Sequence, residues 1–288
     1  MKNRVIIVEG IPGSGKSTCA KKLEELLREK GIKVRLYNEG MAHPVDMAWH
    51  AYLTVDEYRA LLDQYPQYEK TIKAHTQIEE GYVTIAYTQL EIDWSDRNLV
   101  STLESHEVYD GRVDRETFEK LHLKRWSHFK MAEDEVAIFE CAFLQNQISE
   151  LMGVHQMPKE YINHYLVQLL QGISQYKPLL IYLTQKEVEE TIMHVAKERV
   201  STDKSKRGDW IDMIIRYVEE SNYGKTHHLK GVDGVIQFYK DRKAIEIEFL
   251  NQMMEQHLDL TEVEILINDD YNWGKLNDRL KEIICNRY

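Results

Sequence analysis

Glycine-rich spacing near the N-terminus of the chain predicts a loop that binds the phosphates of a nucleotide. Residues 10–17 fit the pattern G-x-x-x-x-G-K-S/T at every fixed position. Glycines let the backbone fold closely around phosphate oxygens, and the N–H groups of the loop and of the following helix then point at the anion. In this pattern Lys16 reaches the β- and γ-phosphates, and the Ser17 hydroxyl binds Mg²⁺.

The residues on either side of this loop have the patterns of a strand before it and a helix after it. Residues 5–8 form an apolar, β-branched run that is typical of a strand buried on both faces. From about Lys16 to Lys30 apolar residues recur at helical spacing, and Gly31 is placed to end the helix. Residues 34–37 indicate a second strand. The succession of strand, helix and strand predicts a βαβ unit, and therefore a parallel sheet.

Three later apolar runs, separated by helical patterns, predict further strands of the same sheet. They cover residues 136–139, 179–183 and 263–267. Five short strands that alternate with helices predict a three-layer α/β sandwich with a five-stranded parallel sheet. We expect all 288 residues to form a single domain.

The stretch from about residue 41 to about residue 135 is polar and rich in aromatic residues, and it differs from the rest of the chain. Helical patterns dominate it, and the clearest cover residues 55–62, 68–91 and 116–131. No linker rich in proline, glycine or serine marks either end of it. We therefore expect a helical insertion between the second and third strands of the sheet.

The string from Val8 to Thr18 resembles the opening of P-loop kinases, and thymidylate and deoxynucleoside kinases carry closely similar strings. The resemblance implies a P-loop NTPase fold of the nucleotide-kinase type, with ATP and Mg²⁺ as cofactors. It also implies which residues contact the nucleotide. They are Gly10, Ile11, Pro12, Gly13, Ser14, Gly15, Lys16, Ser17 and Thr18.

A later segment is similar to the strand, helix and lid of nucleoside and nucleotide kinases. Leu180–Thr184 corresponds to the strand, a helix follows it, and basic residues are concentrated in a predicted lid at about residues 199–209. In those kinases, lid arginines close over the transferring phosphoryl group. The resemblance therefore implies catalytic roles for Arg199 and Arg207, which would neutralise the charge that develops on the γ-phosphoryl oxygens.

Other positions depart from the kinases that the loop resembles. Pro12 stands where thymidylate kinases usually carry an acidic residue. The third strand leads into Glu-Cys-Ala-Phe at residues 140–143, instead of the arginine-containing strings of the two kinase families. The guanine motif Asn-Lys-x-Asp is not present, although Asn268 follows the fifth strand. The sequence therefore favours a kinase over a GTPase, and it does not identify the phosphoryl acceptor.

Two acidic residues at predicted strand ends are candidates for the chemistry of phosphoryl transfer. Glu140 ends the third strand, where a carboxylate faces the crevice in which ligands of parallel sheets bind, and we expect it to help bind Mg²⁺ together with Ser17. Glu39 follows the second strand and is our candidate for the general base that accepts a proton from an acceptor hydroxyl. Asp110 is the alternative base, in a string that also fits a turn.

Composition narrows the classes of partner. A net charge of −11 opposes a large nucleic-acid footprint, because phosphate backbones require clustered lysine and arginine. The apolar runs are far shorter than the roughly 20 residues that cross a bilayer, so we expect no membrane partner. The 3 cysteines have neither disulfide nor zinc spacing, and we expect a reducing, cytoplasmic setting. The oligomeric state stays open, including a homodimer.

Together these features predict an ATP-dependent phosphotransferase that moves the γ-phosphoryl group to the hydroxyl or phosphate of a small-molecule acceptor. The alternative is a P-loop NTPase that acts as a switch or as a partner-dependent ATPase. A nucleotide-binding protein without activity is disfavoured, because both Lys16 and Ser17 are present. The identity of the acceptor and the choice between ATP and GTP are left open by the sequence.

Overall fold

The chain forms two compact units. The first comprises residues 1–38 and 126–288, and the second comprises residues 39–125. The insertion expected at about residues 41–135 overlaps the second unit. The structure is a computed structural model, and it describes residues 2–79, 81–202, 208–255, 260–269 and 271–288.

Strands and helices alternate along the described residues. The strands are β1 (Val5–Gly10), β2 (Lys33–Tyr37), β3 (His50–Thr54), β4 (Thr76–Glu79), β5 (Tyr82–Ala86), β6 (Glu135–Glu140), β7 (Leu179–Thr184) and β8 (Glu262–Ile267). The α-helices are α1 (Lys16–Glu29), α2 (Val55–Gln64), α3 (Glu69–Ala74), α4 (Arg97–Ser105), α5 (Arg115–His128), α6 (Gln145–Ile148), α7 (Lys159–Ile173), α8 (Val188–Glu198), α9 (Trp210–Glu220), α10 (Asn222–Thr226), α11 (Gly231–Glu255) and α12 (Trp273–Arg287). None of the described helices is long and apolar enough to cross a membrane.

The first unit is built on a five-stranded sheet in the order β2-β6-β1-β7-β8, with every neighbouring pair parallel. Strand β1 lies at its centre and is buried along its whole length, which agrees with its continuous apolar sequence. The register places Val8 opposite Glu140 on one side and Gly10 opposite Leu183 on the other. The carboxyl ends of β1, β6 and β7 therefore meet at one edge of the sheet.

Helices cover both faces of this sheet. On one face α1 and α12 pack against the strands through an apolar core that includes Leu23, Leu27 and Leu280. On the other face α11 packs through Phe249, whose ring contacts that of Phe143 at 5.7 Å between centroids. The predicted three-layer α/β sandwich with a five-stranded parallel sheet is confirmed, and it is the arrangement of a P-loop NTPase fold.

The second unit contains strands as well as the predicted helices. Strands β3, β5 and β4 form an antiparallel sheet, and its buried side packs on α2 and α4. The helix predicted over residues 68–91 is wrong beyond Ala74, because β4 and β5 occupy residues 76–86. Gly81 lies between these two strands with φ +87°, a conformation that ends a helix and that glycine adopts without steric cost.

A buried ion pair joins α11 to the sheet of the first unit. Arg242 and Glu246 lie one turn apart on α11, both are almost fully buried, and Nε of the arginine is 2.9 Å from Oε1 of the glutamate. The Tyr182 hydroxyl on β7 donates a hydrogen bond to Glu246, and Nη1 of Arg242 donates to the Ser149 hydroxyl at 3.2 Å. Each charge depends on the other, because neither is hydrated.

Removing one member of this pair should therefore destabilise the first unit strongly. We expect Arg242→Met to lower the free energy of unfolding by about 3–5 kcal/mol, since it leaves a buried carboxylate without its cation. The double variant Arg242→Met with Glu246→Leu should recover most of the loss. Urea unfolding followed by circular dichroism measures both. The control is Lys159→Met, which removes an exposed partner of Glu248 and should leave the unfolding midpoint unchanged. An unchanged midpoint in Arg242→Met would show that the pair does not stabilise the fold.

Candidate functional site

The N-terminus of α1 is open toward an anion. The helix begins at Lys16, Gly15 is its N-cap with φ +95°, no side chain caps it, and no acidic residue lies in its first turn. The first N–H groups of any helix lack intrahelical acceptors, and here the N-cap glycine has no side chain that could supply one. These donors, together with the positive end of the helix dipole, favour a bound phosphate.

Two glycines of the loop are required by close packing from behind. Gly10 has φ +146°, and a Cβ atom there would overlap the carbonyl oxygen of Leu183 at the end of β7. A Cβ atom at Gly15 would overlap the indole ring of Trp273 in the first turn of α12. The glycines therefore serve two purposes, since they allow the loop conformation and let the loop lie directly against its support.

The Lys16 side chain is buried and folds back over the loop. Its Nζ donates hydrogen bonds to the carbonyl oxygens of Gly10 at 2.9 Å and Ile11 at 3.0 Å. These bonds hold the ammonium group against the carbonyl oxygens of the loop. To contact a bound phosphate chain, as the sequence pattern predicts, the ammonium would exchange these bonds for bonds to phosphate oxygens.

Ser17 and Glu140 lie together, as the sequence analysis expected. The Ser17 hydroxyl in the first turn of α1 donates a hydrogen bond to Oε1 of Glu140 at 2.8 Å. Glu140 is the last residue of β6 and is mostly buried. A hydroxyl and a carboxylate are oxygen ligands suited to Mg²⁺, which otherwise keeps several waters. Within the described ranges no group of three or more His, Cys, Asp or Glu side chains is arranged to bind a metal, so this pair is our candidate magnesium site.

Glu9 is a buried acidic residue directly before the loop, and the sequence analysis did not assign it to the site. Its buried carboxylate accepts hydrogen bonds from the backbone N–H groups of Phe143 at 2.7 Å and Gln145 at 3.1 Å. Burial raises the pKa of Glu9 to about 7, although these N–H groups and the charge of Lys16 act in the opposite direction. Glu9 thus links the strand that leads into the phosphate loop to the segment that follows Glu140.

Three further side chains hold the loop from outside, and the sequence analysis did not assign them to the site either. Gln185 follows β7 and Asn268 follows β8, and their amide groups donate to the same oxygen, the Ser14 carbonyl, at 3.1 and 2.9 Å. The Tyr271 hydroxyl donates to the Gly13 carbonyl at 3.0 Å. We call Gln185, Asn268 and Tyr271 the carbonyl clamp. Their position in the sequence could have indicated a place at the site, because Gln185 and Asn268 directly follow apolar strands that run parallel to β1.

A cavity of about 340 Å³ adjoins the carbonyl clamp. The His194 ring stacks on the ring of Tyr271 at its edge, with 4.8 Å between centroids and 29° between planes. The cavity is lined by Gln185, Lys186, Glu187, Glu190, Thr191, His194, Asp269 and Tyr271. Its position beside the loop and its aromatic wall make it suitable for the planar base of a nucleotide.

The remaining predicted site residues are not gathered at the loop by the described structure. Arg199 directly follows α8 and is exposed, and its guanidinium lies over the ring of Trp210 at 5.7 Å. Arg207 and the middle of the predicted lid, residues 203–207, lie outside the described residues. Glu39 and Asp110 belong to the second unit. The assignments of these four residues stay predictions.

A comparison with known proteins gives a match over the loop and over the strand and helix on either side of it. A family model for chromatin associated protein KTI12, a family similar to P-loop NTPases, matches residues 4–75. This match covers β1, the loop, α1 and β2, and it ends within the second unit. It covers about a quarter of the chain and does not point to thymidylate or deoxynucleoside kinases in particular. No curated protein matches the chain.

Weakening the carbonyl clamp should loosen the phosphate loop. In Asn268→Leu the Ser14 carbonyl keeps only its Gln185 donor, and the loss of one hydrogen bond costs about 0.5–1.5 kcal/mol. We therefore expect Mg²⁺·ADP to bind about two- to tenfold more weakly, as measured by calorimetry. Asn251→Leu, at an exposed position on α11, is the matched control and should bind as the wild type does. Equal affinities in all three proteins would contradict the role of the clamp.

The raised pKa of Glu9 predicts a stability that depends on pH. Between pH 4.5 and about 7 the folded protein retains a proton on Glu9 that the unfolded chain has released. The contribution of Glu9 to the free energy of unfolding therefore falls as pH rises through this range. Glu9→Gln does not titrate, and its free energy of unfolding should lack this component. The measurement is the difference between the two proteins in urea unfolding from pH 4.5 to 8. A difference that is constant with pH would show that Glu9 has an ordinary pKa.

Proposed function

We propose that this protein is a Mg²⁺-dependent P-loop NTPase that turns over rapidly only with a second molecule. The observation that supports this best is the hydrogen bond of 2.8 Å between the Ser17 hydroxyl and the Glu140 carboxylate. Ser17 lies in the same helical turn as Lys16. The three side chains supply the parts that phosphoryl transfer requires. The ammonium would neutralise phosphate charge, and the hydroxyl and carboxylate would hold a Mg²⁺ ion, which would supply further positive charge to the phosphates.

We infer the need for a second molecule from the contacts that the two carboxylates beside the loop already make. Glu9 accepts two backbone hydrogen bonds, and Glu140 accepts the Ser17 hydroxyl and would face the metal. Both carboxylates are engaged in these bonds, and we propose that the groups that orient a water molecule for attack on the γ-phosphate come from the second molecule. Hydrolysis by the chain alone should therefore be slow.

We propose ATP as the nucleotide, with its base in the cavity beside the carbonyl clamp. The His194 and Tyr271 rings would form one wall for the base, and the clamp would join that wall to the loop. Base and phosphates would then be held by neighbouring residues, so that binding the base stabilises the loop in its anion-binding form.

A protein partner is our first candidate for the second molecule. The family-model match supports this candidate, because the matched family is described as a chromatin associated protein and not as a metabolic enzyme. In this case the chain acts as a partner-dependent ATPase or as a switch, and the γ-phosphoryl group goes to water. The partner would supply the groups that orient the water, as activating proteins do for other P-loop NTPases.

A small-molecule acceptor is the second candidate, and the placement of α8 supports it. This helix lies against the loop, since Thr191 and Val195 are the nearest neighbours of Gly13. Arg199 follows the same helix, so a movement of this segment would bring its guanidinium toward the phosphates. In this case the chain is an ATP-dependent kinase for a small hydroxyl or phosphate compound, with Glu39, or alternatively Asp110, as the proposed general base.

The destination of the γ-phosphoryl group distinguishes the two candidates. With γ-labelled ATP and Mg²⁺, the label appears in inorganic phosphate for the partner-dependent ATPase, and addition of the partner speeds its release. For the kinase, the label appears in a small molecule when a pool of metabolites is added. Rapid hydrolysis by the chain alone would contradict both.

Glu140→Gln should weaken the dependence of turnover on Mg²⁺. The amide keeps the size of the side chain but removes its charge, so we expect half-maximal turnover to need at least about tenfold more Mg²⁺. Affinity for ADP without metal should change little, because the N–H groups of the loop remain. The control is Glu189→Gln at an exposed position on α8, and Lys16→Ala should remain folded but inactive. An unchanged Mg²⁺ requirement in Glu140→Gln would remove Glu140 from the metal site.

A further inference from the structure

The second unit contains a buried arginine that forms no ion pair with any carboxylate that the structure describes. Arg125 lies on α5 and is only 8% exposed. Its Nη2 donates to Oε1 of Gln77 at 2.7 Å and to the Thr84 hydroxyl at 3.1 Å. Both acceptors are neutral, and no carboxylate among the described residues lies within ion-pair distance of the guanidinium.

Most of the hydrogen-bonding capacity of this guanidinium is unused. A guanidinium group has five N–H donors in a planar fork, and the two bonds from Nη2 use only that nitrogen. The donors on Nε and Nη1 meet no acceptor in the part of the chain that the structure describes. Holding a cation out of water without an anion is costly, and an anionic ligand at this position would offset that cost.

The nearest acidic groups are engaged elsewhere. Glu79 forms an ion pair with Lys124 and accepts a hydrogen bond from the Tyr82 hydroxyl at 2.8 Å. Asp46 accepts a hydrogen bond from the Tyr109 hydroxyl at 2.6 Å. Both carboxylates affect the guanidinium only through longer-range attraction. Arg125 therefore differs from Arg242 of the first unit, which is equally deep in its unit but contacts its own glutamate.

Buried histidines surround the same region and do not carry charge. Burial lowers the pKa of His43 and His122 to about 3 and that of His50 to about 4, and the positive charge of Arg125 lowers all three further. Neutral imidazoles can donate or accept hydrogen bonds. The surroundings of Arg125 thus consist of one fixed cation and several neutral polar rings, which suits a negatively charged ligand.

We propose that Arg125 is the centre of an oxyanion-binding site in the second unit, and that this site takes the phosphate or carboxylate group of a small molecule. The planar fork of Nε and Nη1 matches two oxygens of either group in a bidentate contact. The site is formed within the second unit alone, so it does not rest on the proposed function.

The test is calorimetric titration of inorganic phosphate, with acetate in a parallel arm, into the full chain carrying Lys16→Ala. That substitution weakens phosphate binding at the loop and removes turnover, so the result is independent of the proposed function. We expect the Lys16→Ala protein to bind at least one of the two anions, and adding Arg125→Gln should weaken that binding about tenfold or more. Arg125→Lys keeps the charge but not the fork, so its affinity should be intermediate.

Arg59→Gln is the matched control. Arg59 is an exposed arginine of the same unit, it pairs with Asp56, and its loss should leave anion binding unchanged. Ring signals of the buried histidines in NMR spectra give a second readout, because an anion at Arg125 changes the field that they experience. No binding of either anion by the Lys16→Ala protein would overturn the proposal. Equal binding by the Arg125→Gln and Lys16→Ala proteins would overturn it too, and Arg125→Lys serves this comparison if the glutamine variant does not fold.

Discussion

A phosphate-binding loop must turn its N–H groups toward one point, and its carbonyl oxygens then need donors on the opposite side. Much of the first unit can be understood from this requirement. The carbonyls of Gly10 and Ile11 accept the Lys16 ammonium, that of Gly13 accepts Tyr271, and that of Ser14 accepts two amides. The donors come from α1, from the end of β7 and from the segment that follows β8. The loop is therefore held by the sheet edge and not by its own sequence alone.

The central position of β1 makes this arrangement possible. Because β6 and β7 flank it in parallel, the residues that follow all three strands lie around the loop. Glu140 reaches Ser17 from one side, and Gln185 reaches the Ser14 carbonyl from the other. Glu9 adds a third link, since its buried carboxylate fixes the backbone that follows β6. The candidate metal pair and the phosphate loop are thus supported by the same edge of the sheet.

Each of the two units contains a buried arginine, and the two arginines differ in their partners. In the first unit the buried cation Arg242 lies against Glu246, so its charge is balanced inside the fold and needs no ligand. In the second unit the buried cation Arg125 donates hydrogen bonds to the neutral side chains of Gln77 and Thr84, and it forms no ion pair among the described residues. Burial makes both charges expensive, and the difference in their partners is what separates a structural pair from a candidate ligand site.

The prediction of the second unit shows where periodicity fails. Residues 68–91 have apolar spacing that fits a helix, yet a helix forms only to Ala74. Gly81 has a positive φ, which does not fit a helix that continues through this position. Strand β5, which follows it, pairs with β3 and β4 as antiparallel neighbours. Short segments of this kind carry little local preference, so the pairing of strands that are distant in sequence decides their structure.

The sequence by itself determined the loop, the order of strands and helices in the first unit, and the pairing of Ser17 with Glu140. Each of these rests on local spacing or on the rule that parallel strands end at one sheet edge. The tertiary structure alone decided the role of Glu9, the carbonyl clamp and the isolation of Arg125. Nothing in the sequence around Glu9 indicates its burial or its hydrogen bonds. Asn268 lies 254 residues from the carbonyl that it contacts. Burial and the partners of a charge depend on which distant segments pack around it, and a single sequence does not record them.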